Sequence, residues 1–596
     1  MKRVILLLIV NWILLTCLPL GRLATAYATI HYVQHGQGNI PPYLSWTDAA
    51  DSIQSAINVC SSGDTVLVAN GVYPENLVID TSIYLIGSSM DSTIIDGAGL
   101  GNTTILYYEN LYIENFNLLG KGNGIGDAVI GSAVSSSNPL LGIKNCKISE
   151  SHIGIGSIYN IAAKNLFINN LDEGISSDPA FPGSHIFSNC LIVLNNENAI
   201  GIGIGFAPNN DYTITNNIIL FTNYPRHANA GIITGLPAKV YIYNNLISGF
   251  PSSIFIGGVN DTVFVKNNVM PYGDPSGSVG ISASIYKTVA NNTIISKNEM
   301  GIDGSSYTKS DYNIFWKNSH NLHNVAYGDS DMVRDPMFVK DTLPNPNLNF
   351  DYHLQAYSPG IDKGDPSIQD VDSTRSDIGM YGGPLGSSYK YQDLPPRPPV
   401  NISAVVDTNG VYLKWNKNSE ADTAYYIVYK DTVNNFVIDS TKIIGTPADT
   451  FFTDNSTEGK NHLVYKITAV DKQGNQSAPS TEVAVTITAI KNYPTVINDF
   501  ELYQNYPNPF NPSTKIGYRL KEGGYVKLLV YDILGRLVKV LVNKFQNTGY
   551  YEVEFGNQKS EVRSHFASGI YIYRIEVIGR GNIPVFSDMK KMVLIK

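Results

Sequence analysis

Residues 143 to 315 carry a run of imperfect repeats, and this run constrains the fold more than any other feature of the sequence. Each repeat joins a Gly-Ile pair to an Asn-containing turn and a short apolar strand. The turns contain Asn145, Asn189, Asn217, Asn245, Asn268, Asn292 and Asn313, and the Gly-Ile pairs begin at Gly154, Gly174, Gly231, Gly280 and Gly301. From Asn217 to Asn292 the steps are 28, 23 and 24 residues. A period in the twenties, with strand-forming residues and little helix signal, predicts a solenoid.

The repeats are expected to stack because each one is too short to bury its own apolar face. β-branched triplets such as Ile218-Ile219-Leu220 favour strands. Asn tolerates left-handed backbone angles, and we expect Asn side chains of successive coils to hydrogen-bond to one another. Gly at the other corner is expected to supply positive φ. A leucine-rich repeat has a similar period, but it requires regular Leu spacing and a helical segment, and the sequence shows neither.

This pattern resembles the right-handed parallel β-helix of pectate lyases, chondroitinase B-like lyases and other secreted proteins, over roughly residues 29–384. The resemblance implies a shape and not a particular reaction. Residues 63–76 resemble the first coil of such proteins. An apolar stripe before them predicts a helix from Thr47 to Cys60, with Thr47 as the N-cap, that covers the open end of the solenoid.

The fold class predicted for the whole chain is all-β: a right-handed parallel β-helix followed by two small β-sandwich domains. Lys2-Arg3, an apolar run to Leu20 and small residues before position 28 predict a secretory signal peptide. The predicted domains are the signal peptide (1–28), the β-helix (29–386), a Pro-rich linker (387–398), a first sandwich (399–487), a second linker (488–499) and a terminal domain (500–596).

The two C-terminal domains each resemble a known module. Residues 399–487 place Trp415 and Tyr465 where a fibronectin type III sandwich has its core Trp and its tyrosine corner. Residues 500–596 resemble the C-terminal sorting domain of the type IX secretion system of Bacteroidetes-related bacteria, through the segments 502–512, 530–536, 568–573 and 590–594. This resemblance implies recognition by the type IX secretion machinery and export to the medium or the outer cell surface of a Gram-negative bacterium.

Composition excludes some classes of partner. The net charge of −9 and the pI near 5.6 argue against nucleic acid. No stretch after the signal peptide approaches the ~20 apolar residues that span a bilayer, so no transmembrane segment is expected in the mature chain. Cys60, Cys146 and Cys190 are too widely spaced for a metal site or a disulfide framework. Cys146 and Cys190 both follow an Asn, which predicts equivalent apolar positions in two coils.

The β-helix resemblance implies lyases and hydrolases of acidic polysaccharides, yet the polygalacturonase signature of an Asp-Asp pair followed by Arg-Ile-Lys is absent. Aligning the repeats on the Gly-Ile corner offers one catalytic candidate, a column of titratable residues about 4.8 Å apart along the stack. Close carboxylates raise one another's pKa, and a neighbouring His can act as a base. Polar residues are also expected at any solvated turn, so the column has a structural interpretation as well. The candidates are His152, Asp172, Glu173, Glu197, Arg226 and His227.

Two further sets of residues are candidates for binding. Aromatic side chains within the repeats either form a platform for sugar rings or pack in the core; they are Tyr159, Phe206, Tyr212, Tyr224, Tyr241, Tyr243, Tyr272 and Tyr286. Closely spaced carboxylates after the repeats either hold Ca²⁺, the one cofactor that the sequence suggests, or form Asx turns in a long loop. They are Asp362, Asp365, Asp370 and Asp372.

The sequence therefore predicts a secreted or cell-surface β-helix protein that binds or degrades extracellular polysaccharide. The enzymatic alternative is a lyase or hydrolase of an acidic glycan. The noncatalytic alternative is an adhesin or a surface structural protein, which the fibronectin-like domain and the small number of catalytic groups favour.

Overall fold

The computed structural model of the protein describes residues 28–595 apart from 98–101, 123–126, 136–137, 170–171, 180, 197–198, 206–209, 223–228, 236–238, 258–261, 275–276, 284–286, 346, 408–409, 458–460, 488–498, 557–565 and 580–582. The signal peptide predicted for 1–28 lies, except for residue 28, outside the described residues. None of the helices in the described part has the length and apolar character that a membrane crossing requires.

Residues 30 to 333 form three long parallel sheets, named A, B and C in the order in which the chain enters them. Sheet A contains Ile30–Val33, Thr65–Val68, Ile83–Gly87, Leu111–Glu114, Leu140–Lys144, Asn160–Lys164, Gly183–Ser188, Asn210–Thr215, Lys239–Tyr243, Val263–Lys266, Thr288–Asn291 and Thr308–Asp311. Sheet B contains Gly71–Tyr73, Thr93–Asp96, Asn117–Gly122, Lys147–Ser151, Phe167–Asn169, Leu191–Leu194, Ile218–Phe221, Leu246–Ser248, Val269–Met270, Ile294–Ser296, Ile314–Trp316 and Met332–Val333. Sheet C contains Leu77–Ile79, Thr103–Tyr107, Ala128–Ser132, Ile153–Ser157, Glu173–Ser177, Ile200–Ile204, Ala230–Thr234, Ser252–Ile256, Val279–Ser282, Met300–Asp303 and His320–His323.

Each complete coil contributes one strand to each sheet, and each strand pairs with the strands of the neighbouring coils. Buried aliphatic side chains from all three sheets form one continuous core along the stack. This arrangement is a parallel β-helix, which confirms the predicted all-β fold class together with the small antiparallel domains that follow.

The first coil is covered by a helix that is shorter than predicted. The only α-helix in the described part of the chain is Ile53–Ile57, and Trp46–Asp48 is a 3-10 turn. The helix begins at Ile53 because Ser52, not Thr47, is its N-cap, and because the Glu75 carboxylate accepts hydrogen bonds from the amides of Ile53 and Gln54. Its apolar side packs into the β-helix core as predicted.

The turn between sheets A and B contains two adjacent columns of residues. The first column has left-handed backbone angles in coil after coil, at Asn115, Asn145, Asn165, Asn189, Asn216, Asn244, Asn267, Asn292 and Tyr312. The next residue of each coil points inward and is buried: Phe116, Cys146, Leu166, Cys190, Asn217, Asn245, Asn268, Thr293 and Asn313. The predicted equivalence of Cys146 and Cys190 is thus confirmed.

The inward Asn residues form a buried ladder of hydrogen bonds. Asn217 donates through both its backbone amide and its side chain to the side-chain oxygen of Asn245, at 3.0 Å each. Asn245 bonds to Asn268 in the same way, at 2.9 and 3.0 Å, and its amide also reaches the carbonyl of Ile214. The turn residues therefore satisfy one another along the stack, as the repeat predicted, but at a column one residue removed from the left-handed one.

The glycines at the corners before sheet C are needed for close packing and do not have positive φ. Gly174, Gly201, Gly231, Gly280 and Gly301 are absent from the left-handed residues. A Cβ added to Gly201 would lie 2.4 Å from the carbonyl oxygen of Gly231 and 2.4 Å from Cγ2 of Ile219. Glycine is needed here because the backbones of adjacent coils and a core side chain meet at this corner, so the expectation of positive φ is wrong.

The solenoid is followed by a terminal segment that folds back onto sheet B. This segment includes the antiparallel strands Phe338–Lys340 and Asp351–Leu354. Its side chains, among them Tyr352 and Ile378, cover an outward apolar row on sheet B formed by Leu246, Val269, Ile294 and Ile314.

Two antiparallel domains complete the chain. The first contains a sheet of Ser403–Asp407, Gly410–Lys414 and Phe451–Asp454 and a sheet of Ile443–Gly445, Thr423–Asp431, His462–Asp471 and Val483–Thr486, with a 3-10 turn at Ser440–Lys442. The second contains a sheet of Glu501–Leu502, Ser513–Leu520 and Gly549–Gly556 and a sheet of Leu537–Gln546, Gly524–Asp532, Gly569–Ile578 and Pro584–Leu594. Contacts divide the chain into two units, Met1–Thr457 with Leu463–Val485, and Glu458–His462 with Thr486–Lys596.

Candidate functional site

The turn that leads into sheet C brings two of the predicted site residues together. Ile153 pairs with Glu173 in adjacent coils, so the preceding residues, His152 and Asp172, occupy equivalent positions. Nε2 of His152 lies 3.3 Å from Oδ2 of Asp172. The backbone carbonyl of His152 also accepts the amides of Asp172 and Glu173, at 3.1 and 3.0 Å. The stacking of the two coils thus fixes the imidazole and the carboxylate side by side.

The register shows where the column continues. Ile175 pairs with Ile202, so Gly201-Ile202 forms the next corner and Ala199 occupies the position equivalent to Asp172. The predicted column places Glu197 level with Asp172 only if Ala199-Ile200 is counted as the corner, so that alignment is wrong. Glu197 itself lies outside the described residues, as do Arg226 and His227, and their roles stay predictions. In the other direction Ala128 pairs with Ile153, which places Asp127 one coil before His152.

A row of small residues crosses the outer face of sheet C beside this pair. The row, named here the small-residue row, consists of Gly131, Gly156, Ser176 and Gly203, which pair in register across four coils. A Cβ on Gly156 would meet no atom closer than 3.7 Å, and one on Gly203 none closer than 3.6 Å. Packing therefore does not require glycine at these two positions, in contrast to the corner column.

The small-residue row produces a flat strip about 14 Å long, since strands in one sheet are about 4.8 Å apart. Glu173 is half-buried on the adjacent outward row, and His152 and Asp172 stand at the margin, with side chains 21% and 27% exposed. The carboxylates of Asp172 and Glu173, beside a strip without large side chains, offer hydrogen-bonding groups to an elongated ligand that lies against the backbone. Nδ1 of His152 is buried and has no hydrogen-bond partner among the residues that the structure describes.

The predicted aromatic platform is divided between the core and the surface. Tyr159 and Tyr212 are each only 1% exposed, so both belong to the interior, as the packing interpretation predicted. On the outer face of sheet A, the ring of Tyr241 stacks on Phe264 with centroids 5.4 Å apart, and Tyr243 lies beside it. Tyr272 lies under the ammonium group of Lys297. The remaining three, Phe206, Tyr224 and Tyr286, lie outside the described residues.

The four Asp residues of the predicted calcium site do not converge. Asp365 accepts hydrogen bonds from Ser367 and Asp372 from Thr374, each within its own turn. Asp370 instead accepts the backbone amide of Asp377 at 2.9 Å. These local bonds match the Asx-turn alternative, and calcium binding by these residues stays a prediction.

Two other groups of potential metal ligands occur in the described residues. The first, His31, Cys60 and Asp64, lies beside the capping helix. The Asp64 carboxylate accepts the amides of Thr29 and Ser61 at 2.7 Å each, and Nδ1 of His31 bonds to a backbone carbonyl. This group is therefore held together by hydrogen bonds. The second group, in the first antiparallel domain, was missed because its members are far apart in sequence and the domain offered no ligand motif.

Comparison with known proteins identifies the C-terminal domain. Residues 504–581 match the family model described as "Secretion system C-terminal sorting domain". No curated protein matches the chain. Pectate lyase Pel9A is a similar solved structure, with 14% identity over 60% of this chain and 97% of that one, and a TM-score of 0.38.

Two further solved structures match shorter parts of the chain. The spore cortex lytic enzyme SleM of Clostridium perfringens is 23% identical over 18% of this chain, with a TM-score of 0.13. The match spans 32% of SleM, about a third of its length. The FN1–FN3 domains of chicken CNTN1 are 11% identical over 35% of this chain and 72% of that one, with a TM-score of 0.16.

The fold and the match of the C-terminal domain to a family model together define a class of protein. The chain is a parallel β-helix followed by antiparallel β-domains, the last of which is a type IX secretion sorting domain. It is a secreted or cell-surface protein of a Bacteroidetes-related bacterium, and the type IX secretion machinery is its partner during export.

Proposed function

We propose that the protein binds an extended extracellular polysaccharide along the outer face of sheet C. The observation that carries this proposal is the small-residue row with the His152–Asp172 pair and Glu173 beside it. A sugar chain lying on this strip would bring its hydroxyl groups to the carboxylates, while the absence of large side chains lets the rings approach the backbone.

The noncatalytic version of this function has a specific observation in its favour. Nε2 of His152 faces Asp172 and Nδ1 is buried, so neither ring nitrogen is placed to take a proton from a bound sugar. A surface adhesin uses the same strip without this requirement. The enzymatic version, a lyase or hydrolase of an acidic glycan, would depend on the carboxylates of Asp172, Glu173 and Glu197.

The first antiparallel domain is proposed to be a fibronectin type III spacer. Trp415 and Tyr465 are buried, and the Tyr465 hydroxyl donates a hydrogen bond of 2.8 Å to the Asp454 carboxylate. Trp415 matches the buried core Trp of this sandwich type, and the Tyr465 hydroxyl bonds back to an upstream residue as in a tyrosine corner, with a carboxylate in place of a backbone acceptor.

The test is a panel of acidic and neutral glycans measured for binding and for cleavage with the mature protein. Gly156→Trp fills the strip without a clash at Cβ and is expected to weaken binding at least tenfold. Tyr241→Ala on the outer face of sheet A is the matched control and should bind normally. Binding that survives Gly156→Trp would refute the proposed surface.

Cleavage is measured separately from binding, through the appearance of new reducing ends or the absorbance of unsaturated uronides. The triple variant Asp172→Ala, Glu173→Ala, Glu197→Ala should weaken binding whether or not the protein is an enzyme. Release of products by the wild type, lost in the triple variant, would assign the enzymatic version. Full binding and cleavage in the triple variant would discard these residues as a site.

A further inference from the structure

The backbone nitrogen of Thr29 lies beside a buried carboxylate at the covered end of the β-helix. It donates a hydrogen bond of 2.7 Å to Oδ1 of Asp64, a residue that is 5% exposed. The carbonyl of Thr29 accepts the amide of Thr65, the first residue of the neighbouring strand of sheet A, at 2.9 Å. Both backbone groups of Thr29 are thus held by later residues of the chain, so the fold from residue 29 onward sets the position of this nitrogen.

The Asp64 carboxylate is charged but has no lysine or arginine partner within the described residues. Its Oδ2 accepts the Ser61 amide at 2.7 Å. Burial raises the pKa of this carboxyl group, but the hydrogen bonds from the two amides and from His31 outweigh burial and lower the pKa. The ion pair that Asp64 does form is with His31, whose Nε2 lies 3.4 Å away and which is a cation only when protonated. A buried carboxylate is costly unless a cation is placed beside it.

Removal of the signal peptide would supply that cation. The small residues that precede a signal peptidase cut occur twice here, in Ala24-Thr25-Ala26 and in Ala26-Tyr27-Ala28. A cut after the first set leaves Thr29 inside the chain, with a neutral amide at Asp64. A cut after the second set makes Thr29 the first residue. Hydrolysis of that peptide bond consumes a water molecule, leaves a carboxylate on the released leader and leaves an ammonium group on Thr29, because an α-amino group has a pKa of about 7.7–8.0 and is charged at neutral pH.

We propose that a signal peptidase cuts between Ala28 and Thr29, and that the new α-ammonium group of Thr29 forms an ion pair with Asp64. The same carboxylate holds the Ser61 amide, in the turn that follows the capping helix Ile53–Ile57. The ion pair therefore ties the mature N-terminus to the structure that covers the solenoid. Because the ammonium group does not exist in the precursor, this end of the β-helix reaches its full stability only after the leader has been removed.

The ion pair acts where the β-helix opens most easily. Ile30–Val33 is the end strand of sheet A, and within that sheet it pairs only with Thr65–Val68. The terminal unit of a solenoid rests on one neighbour, and its local opening costs less than unfolding of the whole. An ammonium donor adds a full charge to the bond with Asp64, and charge-assisted bonds are the stronger ones. The expected effect is therefore slower opening of the first coil, with little change further along the stack.

The position of the cut is tested on the protein purified after export from a Bacteroidetes strain. Mass spectrometry of the N-terminal peptide is expected to give a mature chain that begins at Thr29. A mature chain that begins at Tyr27, or at any other residue, would overturn the proposal.

The ion pair is tested by hydrogen exchange on two forms of the full-length mature protein, one beginning at Thr29 and one at Tyr27. Each form is released from a fusion by a protease that leaves no extra residue. In the Tyr27 form the nitrogen at Asp64 is a neutral amide. We expect the amides of Ile30–Val33 to exchange about tenfold more slowly in the Thr29 form, and the amides of later coils to exchange alike in both.

Two substitutions separate the charge from the change in chain length. Asp64→Asn should make the two forms exchange alike in Ile30–Val33. Asp80→Asn, at an exposed carboxylate just after the first strand of sheet C, should preserve the tenfold difference. Equal exchange in the two wild-type forms would overturn the ion pair, and this comparison holds even if Asp64→Asn fails to fold. A difference that persists in Asp64→Asn would assign the effect to the two extra residues and would also overturn it.

Discussion

The inward Asn ladder gives a prediction that can be worked out from the structure, through the substitution Asn245→Ala. The side-chain oxygen of Asn245 accepts both the backbone amide and the side-chain amide of Asn217, and its own amide donates to the Ile214 carbonyl and to Asn268. Asn217, Asn245 and Asn268 are all 0% exposed, so water cannot replace these partners.

The substitution leaves two buried donors without a partner, the Asn217 backbone N–H and one N–H of the Asn217 side chain. The Ile214 carbonyl also loses a hydrogen bond, but it belongs to a strand that is paired on both sides. Each unpaired buried group costs about 1–3 kcal/mol. Discounting for partial relaxation of the turn, we expect Asn245→Ala to lower the free energy of unfolding by about 4 kcal/mol.

The assay is urea denaturation of the mature protein followed by circular dichroism. Asn165→Gly is the matched control, since Asn165 occupies the outer, left-handed column and its hydrogen bond to Asn145 is exposed. Glycine keeps the backbone angle, so we expect a loss below about 1 kcal/mol. Equal losses in the two variants, or a loss of less than about 1 kcal/mol for Asn245→Ala, would show that the ladder does not stabilise the coil through buried hydrogen bonds.

Three other predictions follow from single positions. Gly201→Ala should lower the free energy of unfolding by about 3 kcal/mol, because the new Cβ overpacks the corner. Gly203→Ala should change it by less than about 0.5 kcal/mol, because no atom lies within 3.5 Å of the new Cβ. Similar urea midpoints for the two variants would contradict this prediction. Burial lowers the pKa of His185 to about 4 from an unfolded value near 6.5. The contribution of His185 to the free energy of unfolding should therefore be constant above pH 6.5 and fall by about 3 kcal/mol as the pH drops from 6.5 to 4. His185→Gln should remove this pH dependence. Arg397→Ala removes the ion-pair partner of the buried Asp335 carboxylate, which keeps its hydrogen bonds from Ser419 and the Met337 amide. Because the Arg397 side chain is partly exposed, we expect a loss of about 2 kcal/mol in the free energy of unfolding, with Arg397→Lys intermediate. Equal urea midpoints for wild type and Arg397→Ala would refute this.

The repeating coil could be predicted from the sequence, but which turn residues point inward could not. The sequence contains the Asn-Asn pairs 216–217, 244–245, 267–268 and 291–292. In the first three pairs the first Asn is left-handed and the second points inward. In the last pair Asn292 is left-handed and Thr293 points inward. Either Asn of a pair has the chemistry for either role, so only the register along the stack assigns them.

The candidate site was predictable only where the repeat is unambiguous. His152 and Asp172 precede a Gly-Ile pair by the same number of residues, and the stack brings them together. Near residue 200 the chain reads Ala-Ile-Gly-Ile-Gly-Ile, which offers several corners, and the wrong one was chosen for Glu197. The second group of potential metal ligands, Asp393, Asp422 and Asp471, meets only through tertiary contacts between separate segments, which no spacing in the sequence reveals.

The sequence carries a signal for the covering of sheet B. Strands such as Ile218–Phe221 and Ile294–Ser296 carry apolar residues at consecutive positions, so both of their faces are apolar. Consecutive apolar residues in a parallel strand indicate burial on both sides. The inner face packs in the β-helix core, and the outer face is covered by the terminal segment around Tyr352 and Ile378.

This covering narrows the choice of a surface for the proposed polysaccharide ligand. The outer row of sheet B between Leu246 and Ile314 is buried under the terminal segment and is closed to a polymer. The outer faces of sheets A and C offer different chemistry: stacked rings at Tyr241 and Phe264 on sheet A, and a strip without large side chains beside Glu173 on sheet C. Stacked rings occupy one another's faces, which leaves less aromatic surface for a sugar. Binding that Tyr241→Ala abolishes and Gly156→Trp leaves intact would place the polymer on sheet A and refute the proposed surface on sheet C.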